Sequence, residues 1–520
     1  MRIPAVFAAL ILVLALPFAL KPKENLLAKA DDTVVIITPH NEQIRYEFSH
    51  AFSASYQKTT GRSVRIDWRV PGGTSEIAKY LKSEFFAAFE YFWKSAGHTW
   101  DGEAAATFDK PGSDSPARMG FLASNVGIGI DLFFGGGAYD FIQQAEAGRL
   151  VDSGLLTARP DWFTEDSIPP VVSGEVFYDP EGRWIGAVLS SFGICYNSDS
   201  LRRLGVKEIP SAWTDLGDPL FRKQVALADP TKSGSAAKAF EMIIQEQMQE
   251  EIRLHPDAEL ETQLAAGWLR GLQVIQHASA NARYFTDAAS KVPIDVSLGD
   301  AAIGMSIDFY GRYQSEAVQV GDTPSRIQYF TPVGGSSVGV DPIGLLRGAS
   351  NKKAAVAFME FVLSMEGQKL WNFKIGAPGG PVKYALRRLP IRKELYAPEY
   401  AAFRSDPTVF PYEEAKLFTY HPEWTSSLFK TMSFIIRVMC LDCHDEQAAA
   451  WKALVEGNFP PEATAKFNDL SAVNLATAND DIKPALKSAD RIHEVQLAKK
   501  LGGHFRTQYA EAKRLAEEGK

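Results

Sequence analysis

Cysteine is nearly absent from this chain of 520 residues, which holds three: Cys195, Cys440 and Cys443. So few exclude a disulfide framework, and a hydrophobic core must hold the chain together. Beyond the N-terminus there is no apolar run long enough to span a bilayer. G-x-S-x-G, H-E-x-x-H and Walker-type loops are missing, and no spacing singles out a pair among the many carboxylates. An enzyme is therefore not expected. No repeat recurs at solenoid or propeller periods. Positive charge is also short, with 55 Lys and Arg against 63 Asp and Glu and a net charge of −8. The first thirty residues carry +3, so the rest of the chain stands at −11. That balance opposes nucleic-acid binding.

The remaining composition, 46% hydrophobic and 23% charged, is that of an ordinary globular protein. The length exceeds what one core usually covers, so two lobes are expected. Ala5 to Leu20 is an apolar run of sixteen between Arg2 and Lys21, the pattern of a signal-peptide core. Ala28-Lys29-Ala30 supplies a small-x-small cleavage pattern with Asp31 as the expected mature start, and no nearby Cys offers a lipid site. Residues 1–30 thus read as a cleaved signal peptide of an exported, periplasmic protein.

After the leader, the stretch Thr33 to Ser75 reads as strand (34–37), polar turn, amphipathic helix, strand (64–70) and a Gly-Gly-Thr-Ser turn opening a second helix. This β-loop-α-β-loop-α order predicts an α/β fold with a parallel sheet whose loops gather at the strand ends, where ligands bind. Residues 94–118, rich in Gly, Pro, Asp and Ser, read as an inserted surface loop. The pattern 126–134 reads as a buried strand running into Gly135-Gly136-Gly137 and a helix from Ala138 to Gly148. A long extended stretch at 183–196 suits a crossing between lobes. A second α/β pattern covers 197–303, with a strand at 225–228 ending in Asp229-Pro-Thr-Lys-Ser-Gly-Ser235. One helix is expected over 352–371, and a helix-rich, solvated tail beyond 400. The expected division is 31–188 with 305–338 in lobe one, and 192–303 with 339–400 in lobe two. Residues 401–520 would pack on lobe two as an extension. Crossings at 188–192, 304–308 and 337–341 would form the hinge of a clamshell.

Several turns offer anion-binding chemistry. Thr231, Ser233 and Ser235 present hydroxyls, Gly234 permits close backbone approach, and a helix start aims free N–H groups outward. The same logic covers Gly73, Thr74 and Ser75, and an ordinary N-cap is the alternative for both. Gly136 and Gly137, with Tyr139 and Asp140, offer either close backbone approach or a tight turn. Ser190 and Ser191 lie at the first expected crossing, Asp308 and Tyr310 at the second.

The ordered segments VVIITPHNEQIRYEF, PGGTSEIAKYLKSEF, IDLFFGGGAYDF, ALADPTKSGSAAKAF, AIGMSIDFYGR and VDPIGLLRGASNKKAAVAFMEFVLSMEGQKLW resemble the periplasmic solute-binding proteins of ABC importers, in the iron(III)-type, AfuA-like group. The resemblance runs from about 33 to 380. It implies a type II two-lobed clamshell, a small ligand in the cleft and delivery to a membrane permease; a monomer without a cofactor is expected. It also implies ligand contacts from His40 and Asn41 on the first loop. Ferric capture in relatives uses adjacent tyrosines, and this chain has no Tyr-Tyr; Tyr310 and Tyr313 are three apart. An organic or phosphorylated anion therefore ranks above ferric ion, which demands hard anionic oxygens. A thiamine- or polyamine-type cation stacked on Trp68, Tyr139 or Tyr310 remains an alternative. Cys440-Leu-Asp-Cys443-His444 matches the c-type haem attachment pattern, but lies in a helical stretch without a haem domain around it. Passive packing is the expectation there, with a redox-active or chance thiol pair as the alternative.

Overall fold

A computed structural model describes residues 30–321, 323–488 and 491–520. The signal-peptide reading therefore lies outside the described residues except for Ala30. Two sheets organise the chain. The first runs in the order β14-β7-β13-β3-β1-β2, built from β1 (Asp32–Ile37), β2 (Val64–Arg69), β3 (Leu132–Phe134), β7 (Trp184–Ser190), β13 (Gly339–Leu346) and β14 (Leu389–Pro390). A short β4 (Leu150–Val151) pairs with β13. The second sheet runs β10-β9-β11-β8-β12, from β8 (Phe192–Asn197), β9 (Val225–Ala228), β10 (Ala282–Thr286), β11 (Ile303–Ile307) and β12 (Ile327–Phe330). A separate hairpin pairs β5 (Val171–Val172) with β6 (Glu175–Val176). β1 is parallel to β2 and β3, as the opening unit requires, whereas β13 is antiparallel to β3 and β7. Each sheet has its own hydrophobic core, one centred on Phe48, Phe85, Phe134 and Trp371, the other on Trp213, Ile244, Trp268 and Ile303.

This topology corrects the expected division. Residues 303–330 belong to the second sheet, through β11 and β12, and residues 339–390 belong to the first, through β13 and β14. The chain crosses at 190–192 and returns between Ser336 and Gly339, not at 304–308. It crosses a third time after Ala415, which is in the first core, before Phe418, which is in the second. An apolar strand such as Gly339–Leu346 can add to either sheet. Its partners, Phe133 and Val188 among them, are far away in sequence and decide which.

Helices complete the lobes. In the first are α1 (Glu42–Thr60), α2 (Thr74–Ser95), α3 (Gly102–Thr107), α4 (Pro116–Ala123) and α5 (Ala138–Glu146). The region 94–118 is not a bare loop: α3 and the start of α4 fall in it, and Phe108 is buried against Phe89, Trp100 and Phe121. The second lobe carries α6 (Gly234–Leu254), α7 (Leu260–Ala280), α8 (Lys291–Leu298) and α9 (Asp308–Ala317). The expected helix 352–371 is two, α10 (Lys352–Leu363) and α11 (Met365–Asn372). Ser364 breaks it by turning extended and accepting the Gly367 N–H on its hydroxyl, a local capping bond that competes with helix continuation.

Beyond the third crossing, α12 (Phe429–Ile436), α13 (His444–Glu456), α14 (Pro461–Phe467) and α15 (Arg491–Glu517) pack into the second core. The charged final run is only half solvated: Phe505, Tyr509 and Ala512, at helical spacing, are buried. Among the described residues, no helix is long and apolar enough to cross a membrane.

Candidate functional site

One cleft of about 320 Å³ is lined by both lobes. From the first come Pro39, His40 and Asn41, then Gly72, Gly73, Thr74 and Glu76, and Gly136. The second contributes Lys232 to Ser235, Asp287 to Ser290, and Ile307, Phe309 and Tyr310. Asp341 and Arg388, both on first-sheet segments, complete it. Six helices begin at this cleft: α1, α2, α5, α6, α8 and α9. Each start leaves backbone N–H groups without intrahelical partners and carries roughly half a positive charge.

The starts are built by local chemistry. Asn41 caps α1, its Oδ1 accepting the Ile44 N–H at 3.1 Å. Ser233 caps α6 by accepting the Ala236 N–H at 3.3 Å, and Asp229 accepts the N–H and hydroxyl of Thr231 at 2.8 and 2.7 Å, which shapes the preceding turn. Gly73 starts α2 with no side-chain cap. Gly136, at φ 110°, is irreplaceable for a steric reason: a Cβ there would stand 2.6 Å from the Thr74 methyl carbon. A Cβ on Gly73 would lie 3.6 Å from the Lys232 carbonyl oxygen, so the two glycine-bearing turns face each other closely across the lobes.

Arg388 is the group that sequence reasoning missed. It is fully buried, its guanidinium 4.0 Å over the Phe309 ring, bonded to Asp341 and donating to His40 Nε2 at 3.3 Å. Burial, with Arg388 and Arg45 nearby, holds the His40 pKa well below the ordinary histidine value. His40 is thus neutral, and the Arg388 bond at Nε2 places its proton on Nδ1. Glu47, itself buried, accepts the N–H groups of Val382, Lys383 and Tyr384 and fixes the segment leading to Arg388. The neighbouring Arg387 sits at φ 54°, an uncommon conformation for a non-glycine residue, anchored to Asp406 and Glu316. The signal was the Arg387-Arg388 pair inside the apolar run Ala385 to Pro390; arginines there must be buried and paired.

Of the expected site residues, His40, Asn41, Gly73, Thr74, Gly136, Ser233, Gly234, Ser235 and Tyr310 line the cleft. Ser75, Gly137, Asp140, Ser190, Ser191, Thr231 and Asp308 do not. Ser190 and Ser191 are buried at the first crossing, where the Ser190 hydroxyl bonds Asp341 at 3.2 Å and Ser191 meets Thr331. Asp308 is buried and paired with Arg312 at 2.8 Å, its pKa pushed up to about 6 by desolvation against the pull of Arg312 and Arg388. Of the residues considered for cation stacking, Trp68 bonds Ser49 and packs on Phe358, and Tyr139 stacks on Phe429; Tyr310 alone lines the cleft. Cys440 and Cys443 are buried free thiols, Cys443 donating to the Met439 carbonyl at 3.0 Å. Burial pushes the Cys440 thiol up to about 12. Among the described residues, no group of three or more His, Cys, Asp or Glu is placed to hold a metal ion.

The family model "Bacterial extracellular solute-binding protein" matches residues 129–406, more than half of the chain. The chain belongs to that family. An uncharacterized protein of Haemophilus influenzae is 25% identical to this binding protein over 244 residues, 46% of this chain and 60% of its own length. The match thus spans less than two thirds of that relative. Among solved structures, the periplasmic binding protein AfuA from Actinobacillus pleuropneumoniae, with exogenous fructose-6-phosphate bound, is similar at 16% identity, covering 70% of this chain and 86% of that one, with a TM-score of 0.48. Iron-bound HitA from Pseudomonas aeruginosa is similar at 16% identity over 78% and 99%, with a TM-score of 0.45.

Proposed function

We propose that this binding protein captures a small organic anion, phosphorylated or carboxylated, between its lobes and delivers it unchanged to the permease of an ABC importer. The observation that carries the reading is the convergence of six helix starts from both lobes on one cleft floored by Arg388. Free N–H groups and helix dipoles favour negative charge, and the buried Arg388 guanidinium, its charge balanced by Asp341, adds an Nε–H donor that no protein group accepts. Of the three carboxylates lining the cleft, two are engaged: Asp341 pairs with Arg388, and Asp287 with Lys291 at 2.6 Å, which leaves Glu76 on the first turn of α2. One carboxylate and the Tyr310 phenol fall short of the several hard anionic oxygens that a ferric ion requires, and a cation would face the positive ends of the helices.

Capture follows from hinge bending at the crossings 190–192, 336–339 and 415–418. A ligand touching both walls favours closure by the difference of its affinity for the closed and open states. The work is done outside the cytoplasm, after export directed by residues 1–30. In a thermal-shift panel of sugar phosphates, phosphonates, carboxylates, polyamines and ferric citrate, an anion at about 100 times its Kd should stabilise the protein by about 2.7 kcal/mol. Mass spectrometry of the purified protein should find such an anion. Stabilisation by polyamine or iron alone, or turnover of any compound, would sink the reading.

A further inference from the structure

The segment beyond residue 415 does more than thicken the second lobe. Its helix α12 begins with Phe429, which is half-buried against the second core and stacks on Tyr139 of α5 at 4.5 Å between ring centroids and 30° between planes. Tyr139 belongs to the first lobe and is the second residue of α5; Gly136, just before the Gly137 cap of that helix, lines the cleft. The next residue, Asp140, approaches the cleft loop of the second lobe: a Cβ on Gly234 would lie 3.6 Å from its Oδ2. Lys430, next to Phe429, is the cation whose charge acts on the Asp140 carboxylate. One turn of α5 is therefore held between the Lys232–Ser235 loop and the C-terminal extension.

We propose that the extension is a latch: Phe429, stacked on Tyr139, holds the lobes together, so that residues outside the cleft set how slowly ligand leaves. This rests on the reading of the cleft as a hinged capture site. An aromatic pair of this geometry adds to simple burial, and its loss corresponds to a roughly two- to tenfold change in an equilibrium or a rate. Phe429 and Tyr139 act as positioning residues, because neither lines the cleft.

The test uses the full chain with Phe429→Ala, Tyr139→Ala and the double variant. Without ligand, X-ray scattering should give a larger radius of gyration for each variant than for wild type. Amide exchange across 138–146 should quicken. Glucose 6-phosphate and inorganic phosphate serve as probes, and whichever binds should be released roughly two- to tenfold faster from either single variant. The double variant should go little further, since both changes remove one contact. Phe429→Leu, which keeps apolar contact without the stack, should fall between. Should Phe429→Ala fail to fold, Tyr139→Ala removes the same stack from the other lobe. Unchanged scattering and exchange in the folded variants would overturn the latch, as would fully additive effects on release. If neither probe binds wild type, the choice of anion fails, while scattering and exchange still decide the latch.

Discussion

The two turns that meet across the cleft begin their helices differently. On the second lobe, Ser233 turns its hydroxyl back on its own helix and accepts the Ala236 N–H, so part of the positive end of α6 is satisfied internally. On the first, Gly73 has no side chain to do this, and α2 starts uncapped. The nearest internal substitute is Glu76, whose carboxylate folds back toward Gly72 and Gly73. One turn is thus closed by a neutral hydroxyl, the other is left open beside a carboxylate. An anion entering the cleft replaces nothing at Ser233 but competes with Glu76 at Gly73.

Changes at the floor should override this contrast and have the largest effect. Arg388→Ala should weaken anion binding by about 100-fold, the value of one charge-assisted hydrogen bond in a desolvated site. It should also cost about 2 kcal/mol of stability by leaving the partly exposed Asp341 without its ion-pair partner. Calorimetric titration and denaturant unfolding separate the two; an affinity within threefold of wild type would remove Arg388 from the site. Next in size, Ser235→Ala removes a cleft hydroxyl that caps nothing, and should cost about tenfold in affinity with little change in Tm. Ser233→Ala should do the reverse, losing about 1 kcal/mol of stability as a cap. Equal behaviour of the two serines would break the distinction.

Glu76→Gln should tighten anion binding by about threefold, because it removes a competing negative charge from the first turn of α2. Weaker binding would show that Glu76 accepts a hydrogen bond from the ligand instead. The smallest effect is expected at Asp140, whose pKa is pushed up to about 6 by desolvation. Because the folded state keeps that proton longer than the unfolded chain, the stability linked to it is complete below about pH 4 and lost as pH rises through 6. Asp140→Asn should therefore match wild type at pH 4 and exceed its Tm at pH 7 by about 2 °C. A Tm difference that does not change with pH would show that Asp140 keeps its ordinary pKa.

Much of the first wall was legible because its chemistry is local. The order strand, polar turn, helix and Gly-Gly-Thr-Ser in residues 33–75 needs only period-two and period-3.6 patterns with capping residues between them. The turn 229–235 was legible for the same reason. Arg388 was not, although the apolar residues around it signalled a buried arginine. Its role depends on Asp341, Phe309 and His40, which come from three other parts of the chain. The Cys440-x-x-Cys443-His444 pattern is the opposite case, because a motif gives spacing without surroundings. Both thiols lie in the second core, where desolvation keeps them protonated.

By itself, then, the sequence determined what neighbours in the chain decide: which segments are strands and helices, which turns start helices with free donors, and the absence of a disulfide framework. Tertiary structure alone decided which sheet receives Gly339–Leu346, where the chain crosses between lobes, which serines face the cleft and which serve the hinge, and that Phe429 meets Tyr139. Those outcomes depend on pairing between residues hundreds of positions apart. Several partners of similar apolar character compete there, and the best simultaneous packing of both cores selects among them.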